Sequence, residues 1–268
     1  MVRKIIRRLS ELFVYPLTSG LVAHAVGLNK LKFILFWMSK ALYVSRRSMP
    51  AVQLKFKQAK FIFSCGIEIV IFDDIFLKKV YERAPGFRAQ ENSVIVDAGA
   101  NVGIYSVHAA LMNPSAKIYA IEPVPATRRR LEENLSLNAI SASVEIIPFA
   151  LWEKDCQLFF DAYRYSPQAR ANVSAKGTAV NAITLDTFVD RYGIQRIDLL
   201  KLDAEFAEDN ILRGGGNVAF SRISKIVLEY HSEEKRMNVE QLLKMHGFRK
   251  VLQSETILYF TRIDVPHR

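Results

Sequence analysis

Residues 93–106 have the sequence Ser-Val-Ile-Val-Asp-Ala-Gly-Ala-Asn-Val-Gly-Ile-Tyr-Ser, and this stretch decides the fold. Its residues 94–97 are apolar and β-branched up to a final carboxylate, which predicts a short buried strand. Gly99 and Gly103 then bracket a tight turn, and we expect a helix from Ile104 onward. Glycine lets a ligand approach the backbone, and a helix start presents unpaired N–H groups. This order of elements predicts a nucleotide-binding corner.

The glycine turn differs from the dinucleotide fingerprint, which has three glycines in the order G-x-G-x-x-G. Here the pattern is Asp97-x-Gly99-x-Asn101-x-Gly103, without a glycine at the third fingerprint position. A carboxylate before the turn suits a ligand with a positive charge and an amine better than it suits a pyrophosphate. The pattern favours S-adenosylmethionine over NAD, and a turn that binds no ligand is a third interpretation. The predicted cofactor contacts here are Asp97, Gly99, Asn101 and Gly103.

A second predicted strand, residues 117–121, is followed by Glu122. An acid about 20 residues beyond such a turn commonly binds ribose hydroxyls. Because S-adenosylmethionine and NAD both contain ribose, Glu122 indicates a nucleoside and does not say which one. A solvated strand end is the alternative. Phe149 and Ala150, which follow the predicted strand 143–148, complete the predicted cofactor contacts.

Strands and helices alternate along the chain, which predicts an α/β fold. The predicted strands are one or two within 60–72, then 93–97, 117–121, 143–148, 157–161, 180–183, 197–203, 223–230, 248–252 and 256–261. The predicted helices are 73–83, 103–113, 125–138, 185–192, 204–212 and 239–245. We expect a Rossmann-like sheet of the class I methyltransferase type, mostly parallel and closed by a terminal antiparallel pair, with a basic helical extension before it.

Polar residues follow several predicted strands, and ligands bind at the carboxyl ends of strands in doubly wound sheets. Asp203 ends one strand, Glu205 stands two residues later, and His231 follows another strand. Methyl transfer from a sulfonium requires mainly alignment of the acceptor, and a hydroxyl acceptor also needs a base. Asp203, Glu205 and His231 are therefore the predicted catalytic residues. An ordinary surface histidine is the alternative for His231.

Five segments together resemble the FkbM-type methyltransferases, over about residues 70–262. They are Val94-Ile-Val-Asp-Ala-Gly-Ala-Asn-Val-Gly103, Ile121-Glu-Pro123, Ile183-Thr-Leu-Asp186, Leu200-Lys-Leu-Asp-Ala-Glu205 with Glu208, and Leu228-Glu-Tyr-His231. The resemblance implies S-adenosylmethionine as donor and O-methylation of a hydroxyl on a glycan, glycolipid or polyketide-like metabolite. The family motif usually has the pattern Asp-x-Glu-Gly-x-Glu, and Phe206 stands at the glycine position. Its ring is expected either to narrow the acceptor pocket or to pack at the start of the next helix.

The positive charge lies at the N-terminus. Residues 1–60 contain twelve Lys or Arg and one acid, Glu11, whereas the whole chain has a net charge of +10. We therefore predict a basic amphipathic extension, residues 1–60, and a methyltransferase domain, residues 61–268. Apolar and aromatic residues beside Lys and Arg are typical of helices that lie on anionic lipid. The expected partners are an anionic membrane surface for the extension and a small-molecule or glycan acceptor for the domain; a basic cap packed on the domain is the alternative.

Other function classes fit less well. Cys65, Cys156 and the five histidines have no ligand spacing, which predicts no metal site. The absence of a disulfide framework predicts a reducing, cytoplasmic location. With the basic extension, we expect the protein to be peripheral at the membrane there. A nucleic-acid methyltransferase is disfavoured because the basic charge lies outside the catalytic part and no Asn/Asp-Pro-Pro-aromatic motif follows the strand that ends at Asp203. A non-catalytic, membrane-associated protein that keeps the cofactor fold is the remaining alternative, supported by Phe206. No oligomeric state is predicted.

Overall fold

The computed structural model describes residues 52–64, 66–160, 171–172 and 177–263. The predicted extension up to residue 51 lies outside the described residues, and so does Cys65. In the part of the chain that is described, no helix combines the length and the apolar composition needed to cross a membrane.

The described residues form thirteen strands and seven α-helices. The strands are β1 Val52–Phe56, β2 Ala59–Phe63, β3 Val94–Ala98, β4 Lys117–Ile121, β5 Val144–Ile147, β6 Ala150–Leu151, β7 Cys156–Phe160, β8 Ala171–Asn172, β9 Thr178–Ile183, β10 Leu199–Leu202, β11 Lys225–Glu229, β12 Phe248–Ser254 and β13 Ile257–Arg262. The helices are α1 Gly66–Phe72, α2 Ile104–Met112, α3 Pro125–Leu137, α4 Leu185–Arg191, α5 Glu208–Arg213, α6 Asn217–Arg222 and α7 Glu233–Met245, and a π-helical turn, Asp73–Leu77, follows α1.

The central sheet has seven strands in the order β12-β13-β11-β10-β3-β4-β5. The five strands from β11 to β5 are parallel, and β13 and β12 add an antiparallel pair at one side. This confirms the predicted α/β class, the mostly parallel sheet and the terminal antiparallel pair. A second, four-stranded sheet, β6-β9-β7-β8, lies outside it.

Each face of the central sheet is covered by its own apolar cluster. Ile95 and Val96 are neighbours on β3 and are both fully buried, yet they belong to different clusters. Side chains alternate between the faces of a strand, so a strand buried on both faces has a continuous apolar sequence. Because the five strands from β11 to β5 are parallel, the polar residues that follow them lie at one edge of the sheet.

The N-terminal part of the domain differs from its prediction. Residues 60–72 were expected to be extended, but β2 ends at Phe63 and α1 occupies Gly66–Phe72. The β-branched run in α1 is typical of a strand, and packing overrides this preference. The rings of Phe72 and Phe76 stack with centroids 4.7 Å apart, and Phe72 belongs to the buried apolar cluster against which Phe76 packs.

The β1–β2 hairpin crosses the predicted domain limit between residues 60 and 61. Side chains of α3 and of the residue that follows it hold the edge of the hairpin: the amide of Ile62 donates to Asn134 Oδ1 at 2.9 Å, and the amide of Lys60 donates to Asn138 Oδ1 at 2.8 Å. Asn134 also donates to the carbonyl of Val102 at 2.8 Å. One buried asparagine therefore ties the hairpin to the glycine turn.

Candidate active site

A cavity opens at the carboxyl edge of the central sheet. Its wall includes Gly99, Asn101, Glu122, Ala150, Lys201, Asp203, Glu205 and Glu229. Apolar side chains of α1 and the π-helical turn, namely Ile67, Val70, Ile71 and Ile75, also line it. Six of the ten predicted site residues thus share one cavity, whereas Asp97, Gly103, Phe149 and His231 are not part of its wall.

The glycine turn after β3 requires both of its glycines. Gly99 has φ +82° and Gly103 has φ +85°, in the left-handed region that favours glycine. A Cβ at position 99 would collide with the backbone carbonyl of Asp203, and one at position 103 would collide with the Leu131 side chain. Glycine at position 99 therefore lets the turn approach the end of β10 more closely than a residue with a Cβ would allow.

Asp97 is fully buried and binds its own chain. Its Oδ2 accepts a hydrogen bond from Ser106 Oγ at 2.7 Å, and its Oδ1 lies 3.0 Å from Lys201 Nζ. Lys201 also donates to the carbonyl of Gly99 at 3.1 Å and lies 3.7 Å from Asp203 Oδ2. Burial lowers the pKa of Lys201, but the charges of Asp97 and Asp203 outweigh it and raise that pKa.

Lys201 was not predicted as a site residue. The signal was a lysine inside the apolar strand Leu199–Leu202, where a buried charge needs a partner. Together, Asp97 and Lys201 fix the glycine turn against the end of β10.

Glu122 is buried and lies beside the glycine turn. Its Oε2 accepts a hydrogen bond from the amide of Asn101 at 3.1 Å, and its Oε1 accepts one from the amide of Val124 at 2.8 Å. Burial raises the pKa of Glu122 to about 7, against the effect of these two hydrogen bonds. Each carboxylate oxygen has a second lone pair, so the side chain can still accept hydrogen bonds from a ligand.

Of the two cofactor contacts predicted after β5, Phe149 and Ala150, only Ala150 lies on the cavity wall. Ala150 begins β6 and lines the cavity. Phe149 points elsewhere: the guanidinium of Arg191 lies 5.0 Å from its ring centroid. Phe149 is therefore placed as a support for the neighbouring helix α4.

Asp203 stands on the wall directly after β10. Its Oδ2 accepts a hydrogen bond from Tyr81 Oη at 2.8 Å. Burial and the charge of Asp203 raise the pKa of Tyr81 well above its ordinary value, so the phenol stays a hydrogen-bond donor. Tyr81 was not predicted, because nothing in its local sequence shows that it meets a strand end 122 residues away.

His231 lies within an acidic group. Its Nε2 is 3.7 Å from Glu205 Oε2, and its Nδ1 is 3.5 Å from Glu208 Oε1. Burial lowers the pKa of His231, but the hydrogen bond and charge of Glu208 and the charges of Glu205 and Glu229 raise it to about 9. Burial, followed by the charge of Asp203, raises the pKa of Glu229 to about 7.

The backbone between β10 and α5 is left-handed at two consecutive residues. Glu205 has φ +47° and Phe206 has φ +75°, so the helix expected from residue 204 begins only at Glu208. The Phe206 position has the conformation for which glycine is suited, and a side chain there costs about 1–2 kcal/mol. The Phe206 ring lies over the His231 ring, with centroids 4.6 Å apart.

These residues fit S-adenosylmethionine, whose sulfonium and ammonium groups are positive and whose ribose has two hydroxyls. Gly99 and Asn101 bring the backbone of the glycine turn to the cavity wall, next to Asp203. Asp203, Glu205 and Glu229 give the wall an acidic side that complements positive charge. Glu122 has accepting capacity left for the ribose hydroxyls.

Comparison with known proteins gives the same family. The profile described as "Methyltransferase FkbM domain" matches residues 97–250, which is more than half of the chain. The chain is 27% identical over 234 residues to AMB antimetabolite synthetase AmbE of Pseudomonas aeruginosa, covering 70% of this chain but only 11% of that protein. It is 24% identical to 31-O-demethyl-FK506 methyltransferase FkbM of Streptomyces tacrolimicus, covering 72% of this chain and 86% of that protein.

Among solved structures, the chain resembles the methyltransferase FkbM of Methylobacillus flagellatus. The TM-score is 0.52 at 13% identity, over 92% of this chain and 59% of that chain, so the likeness concerns the fold. The chain therefore belongs to the FkbM methyltransferase family, which confirms the predicted family, the enzyme class of the domain and S-adenosylmethionine as its methyl donor.

Proposed function

We propose that this domain transfers a methyl group from S-adenosylmethionine to a hydroxyl oxygen of a glycan, glycolipid or polyketide-like acceptor. One observation carries the proposal: Glu122 and Gly99, typical of a nucleoside site, share a cavity with the acidic residues Asp203 and Glu205. The name of the Streptomyces relative specifies a 31-O-demethyl substrate, which supports an oxygen acceptor.

The donor half of the cavity consists of the glycine turn, Glu122 and Ala150. Glu122 would accept hydrogen bonds from the ribose hydroxyls, and Gly99, Asn101 and Ala150 would contact the nucleoside and its attached chain. Asp97 and Gly103 act indirectly, by holding the turn. When bound, the donor supplies an electrophilic methyl group on a positively charged sulfur.

The acceptor half consists of Asp203 and Glu205 on the cavity wall, with His231 behind Glu205. The acceptor oxygen must be held in line with the methyl group at contact distance, which is a positioning task. The donor would give its methyl group to the acceptor oxygen and leave as the thioether, and a carboxylate would take the hydroxyl proton. We assign this role to Glu205, which lines the cavity two residues after Asp203. His231 Nε2 lies 3.7 Å from Glu205 Oε2 and would orient that carboxylate.

Methyl transfer to isolated acceptors tests this proposal. The parent protein is incubated with methyl-labelled S-adenosylmethionine and a panel of sugars, glycolipids and macrolides, and the label is located by mass spectrometry. Glu205→Gln should lower kcat about 10²–10⁴-fold, the usual contribution of a general base, with an unchanged donor Kd. Glu234→Gln, at an exposed acid on α7, is the matched control. Label on carbon or nitrogen, or normal turnover in Glu205→Gln, would contradict the assignment.

We also propose that the basic extension holds the enzyme at an anionic membrane surface in the cytoplasm. The support is its composition, since twelve of its first 60 residues are Lys or Arg. Full-length protein should sediment with anionic vesicles and be released by salt, because exposed charges are screened within about 10 Å at 0.1 M. Equal sedimentation with neutral and anionic vesicles would remove this claim.

A further inference from the structure

We infer that Asp203, Glu208 and His231 form a binding site for one divalent metal ion at the acceptor side of the cavity. Each residue offers one donor atom, and the three donor atoms lie within 4.8 Å of one another. The residues come from two neighbouring segments, the turn and helix start after β10 and the residue that follows β11 by two positions. Since β10 and β11 are adjacent and parallel, the fold itself brings these side chains together.

Glu208 gives a second, independent reason for a cation. Its side chain is only 2% exposed, which is unlike the acids of a solvated surface cluster. Its Oε1 accepts a hydrogen bond from the amide of Ala204 at 3.0 Å, whereas its buried Oε2 has no hydrogen-bond partner within the described residues. Leaving a buried carboxylate oxygen without a partner is costly. A metal ion between Glu208 and its two neighbours would provide that partner.

The positive groups nearby leave Asp203 and Glu208 poorly compensated. Lys201 lies 3.7 Å from Asp203 but is closer to Asp97, at 3.0 Å. His231 is shared between Glu205 and Glu208 at 3.7 and 3.5 Å. Two carboxylates and one imidazole are a donor set that suits manganese, iron or zinc, whereas calcium and magnesium prefer oxygen donors alone. Ligands about 2.0–2.2 Å from one ion require the three side chains to close slightly around it.

Asp203 belongs both to this metal site and to the cavity wall. An ion held by Asp203 would therefore meet an acceptor that enters the cavity and would ligate its hydroxyl oxygen. This role rests on the proposed function, whereas the binding of the ion does not. A chelating acceptor, with two neighbouring oxygens, would gain most from such an ion.

The test uses Mn²⁺ with the full chain, first treated with chelator. Electron paramagnetic resonance should count one tightly bound Mn²⁺, and His231→Ala and Glu208→Gln should each weaken its binding about tenfold or more. Glu234→Gln, at an exposed acid on α7, should bind as the parent does. Circular dichroism checks folding, and His231→Gln replaces any variant that does not fold.

The outcomes separate this inference from the proposed function. Weak Mn²⁺ binding that is equal in the parent and in His231→Ala would show adventitious binding and overturn the metal site. S-adenosylmethionine binding is measured separately by calorimetry on the same preparations. If the protein binds the donor but no metal ion specifically, the metal site is rejected and the proposed function stands. If it binds the metal ion specifically but not the donor, the metal site stands and the proposed function is rejected.

Discussion

The ring of Phe206 lies over the ring of His231, with centroids 4.6 Å apart and planes inclined by 34°, on a residue whose φ is +75°. This contact with His231 was not among the sequence-based expectations for Phe206. The ring is not part of the cavity wall, and its main aromatic neighbour is His231. Phe206 is placed to hold His231 against Glu205 and Glu208, at the cost of a left-handed backbone.

Two substitutions of Phe206 separate the contact of its ring with His231 from the cost of its left-handed backbone. Phe206→Gly removes the backbone strain and the ring, whereas Phe206→Ala removes the ring and keeps the strain. We expect the glycine variant to be about 1 kcal/mol more stable than the alanine variant in urea unfolding. Both variants should turn over more slowly with donor affinity unchanged, because His231 loses the ring that orients it. Equal stability of the two variants would argue against strain at this position.

The pH dependence of donor binding follows from Glu122. Its pKa is raised to about 7 by burial, so the folded protein binds a proton there that the unfolded chain releases at lower pH. Ribose hydroxyls donate to the ionised carboxylate, so the donor favours the deprotonated form. Donor affinity measured by calorimetry should rise with pH between about 6 and 8 and then level off.

Two variants identify the titrating group. Glu122→Gln should bind the donor weakly and with little dependence on pH. Glu229, whose pKa is also about 7, lies on the same cavity wall, so Glu229→Gln is the matched control and should keep the parent's pH profile. A profile that flattens in Glu229→Gln instead would move the effect to the acceptor side.

By the same linkage, ionisation of Glu122 destabilises the fold. Its contribution to stability is fully present below the unfolded pKa and is lost as pH rises towards about 7. The change in unfolding free energy from pH 5 to pH 8 should therefore be less favourable to the folded state in the parent than in Glu122→Gln.

Asp97→Ala should act first on stability. It leaves Lys201 buried without its nearest partner, and breaking a buried ion pair typically costs about 3–5 kcal/mol. The double variant Asp97→Ala/Lys201→Met removes both charges and should recover part of that loss in urea unfolding. Donor binding should stay weak in the double variant, because the lysine that fixes the glycine turn is gone. A single variant as stable as the parent would contradict the structural role of the pair.

The sequence predicted the sheet better than the site because the two depend on different information. Apolar runs such as residues 94–96 define buried strands locally, and the alternation of strands with helices indicates a parallel sheet. Gly99, Glu122 and Asp203 were identifiable because each stands directly after such a strand. Tyr81 meets Asp203 only through tertiary packing, and no local pattern predicts that contact. Lys201 was identifiable as a buried charge, but its pairing with Asp97 of the neighbouring strand was not. The positive φ of Glu205 was likewise not visible in the local sequence. Because of it, the helix that was expected from residue 204 begins only at Glu208.

Gly99→Ala should abolish donor binding. A Cβ there would collide with the Asp203 carbonyl, so the turn and the end of β10 must move apart. Gly247 is the matched control, because it has a similar φ of +78° but nothing within 4 Å of its would-be Cβ. Gly247→Ala should cost about 1–2 kcal/mol of stability from φ alone and leave donor affinity unchanged. Equal donor affinity in the two variants would show that close approach at Gly99 is not required.

The start of the folded domain can be located by truncation. Deleting residues 1–51 leaves the β1–β2 hairpin complete, whereas deleting residues 1–60 removes β1 and the first two residues of β2. The longer deletion removes buried Phe56, worth about 1.5–3 kcal/mol, and part of the edge that Asn138 holds. We therefore expect residues 52–268 to unfold at a clearly higher urea concentration than residues 61–268, and to bind the donor like the full-length chain. If both truncated proteins unfold at the same concentration with equal donor affinity, the hairpin contributes nothing to the domain, and the limit predicted at residue 60 is the better one.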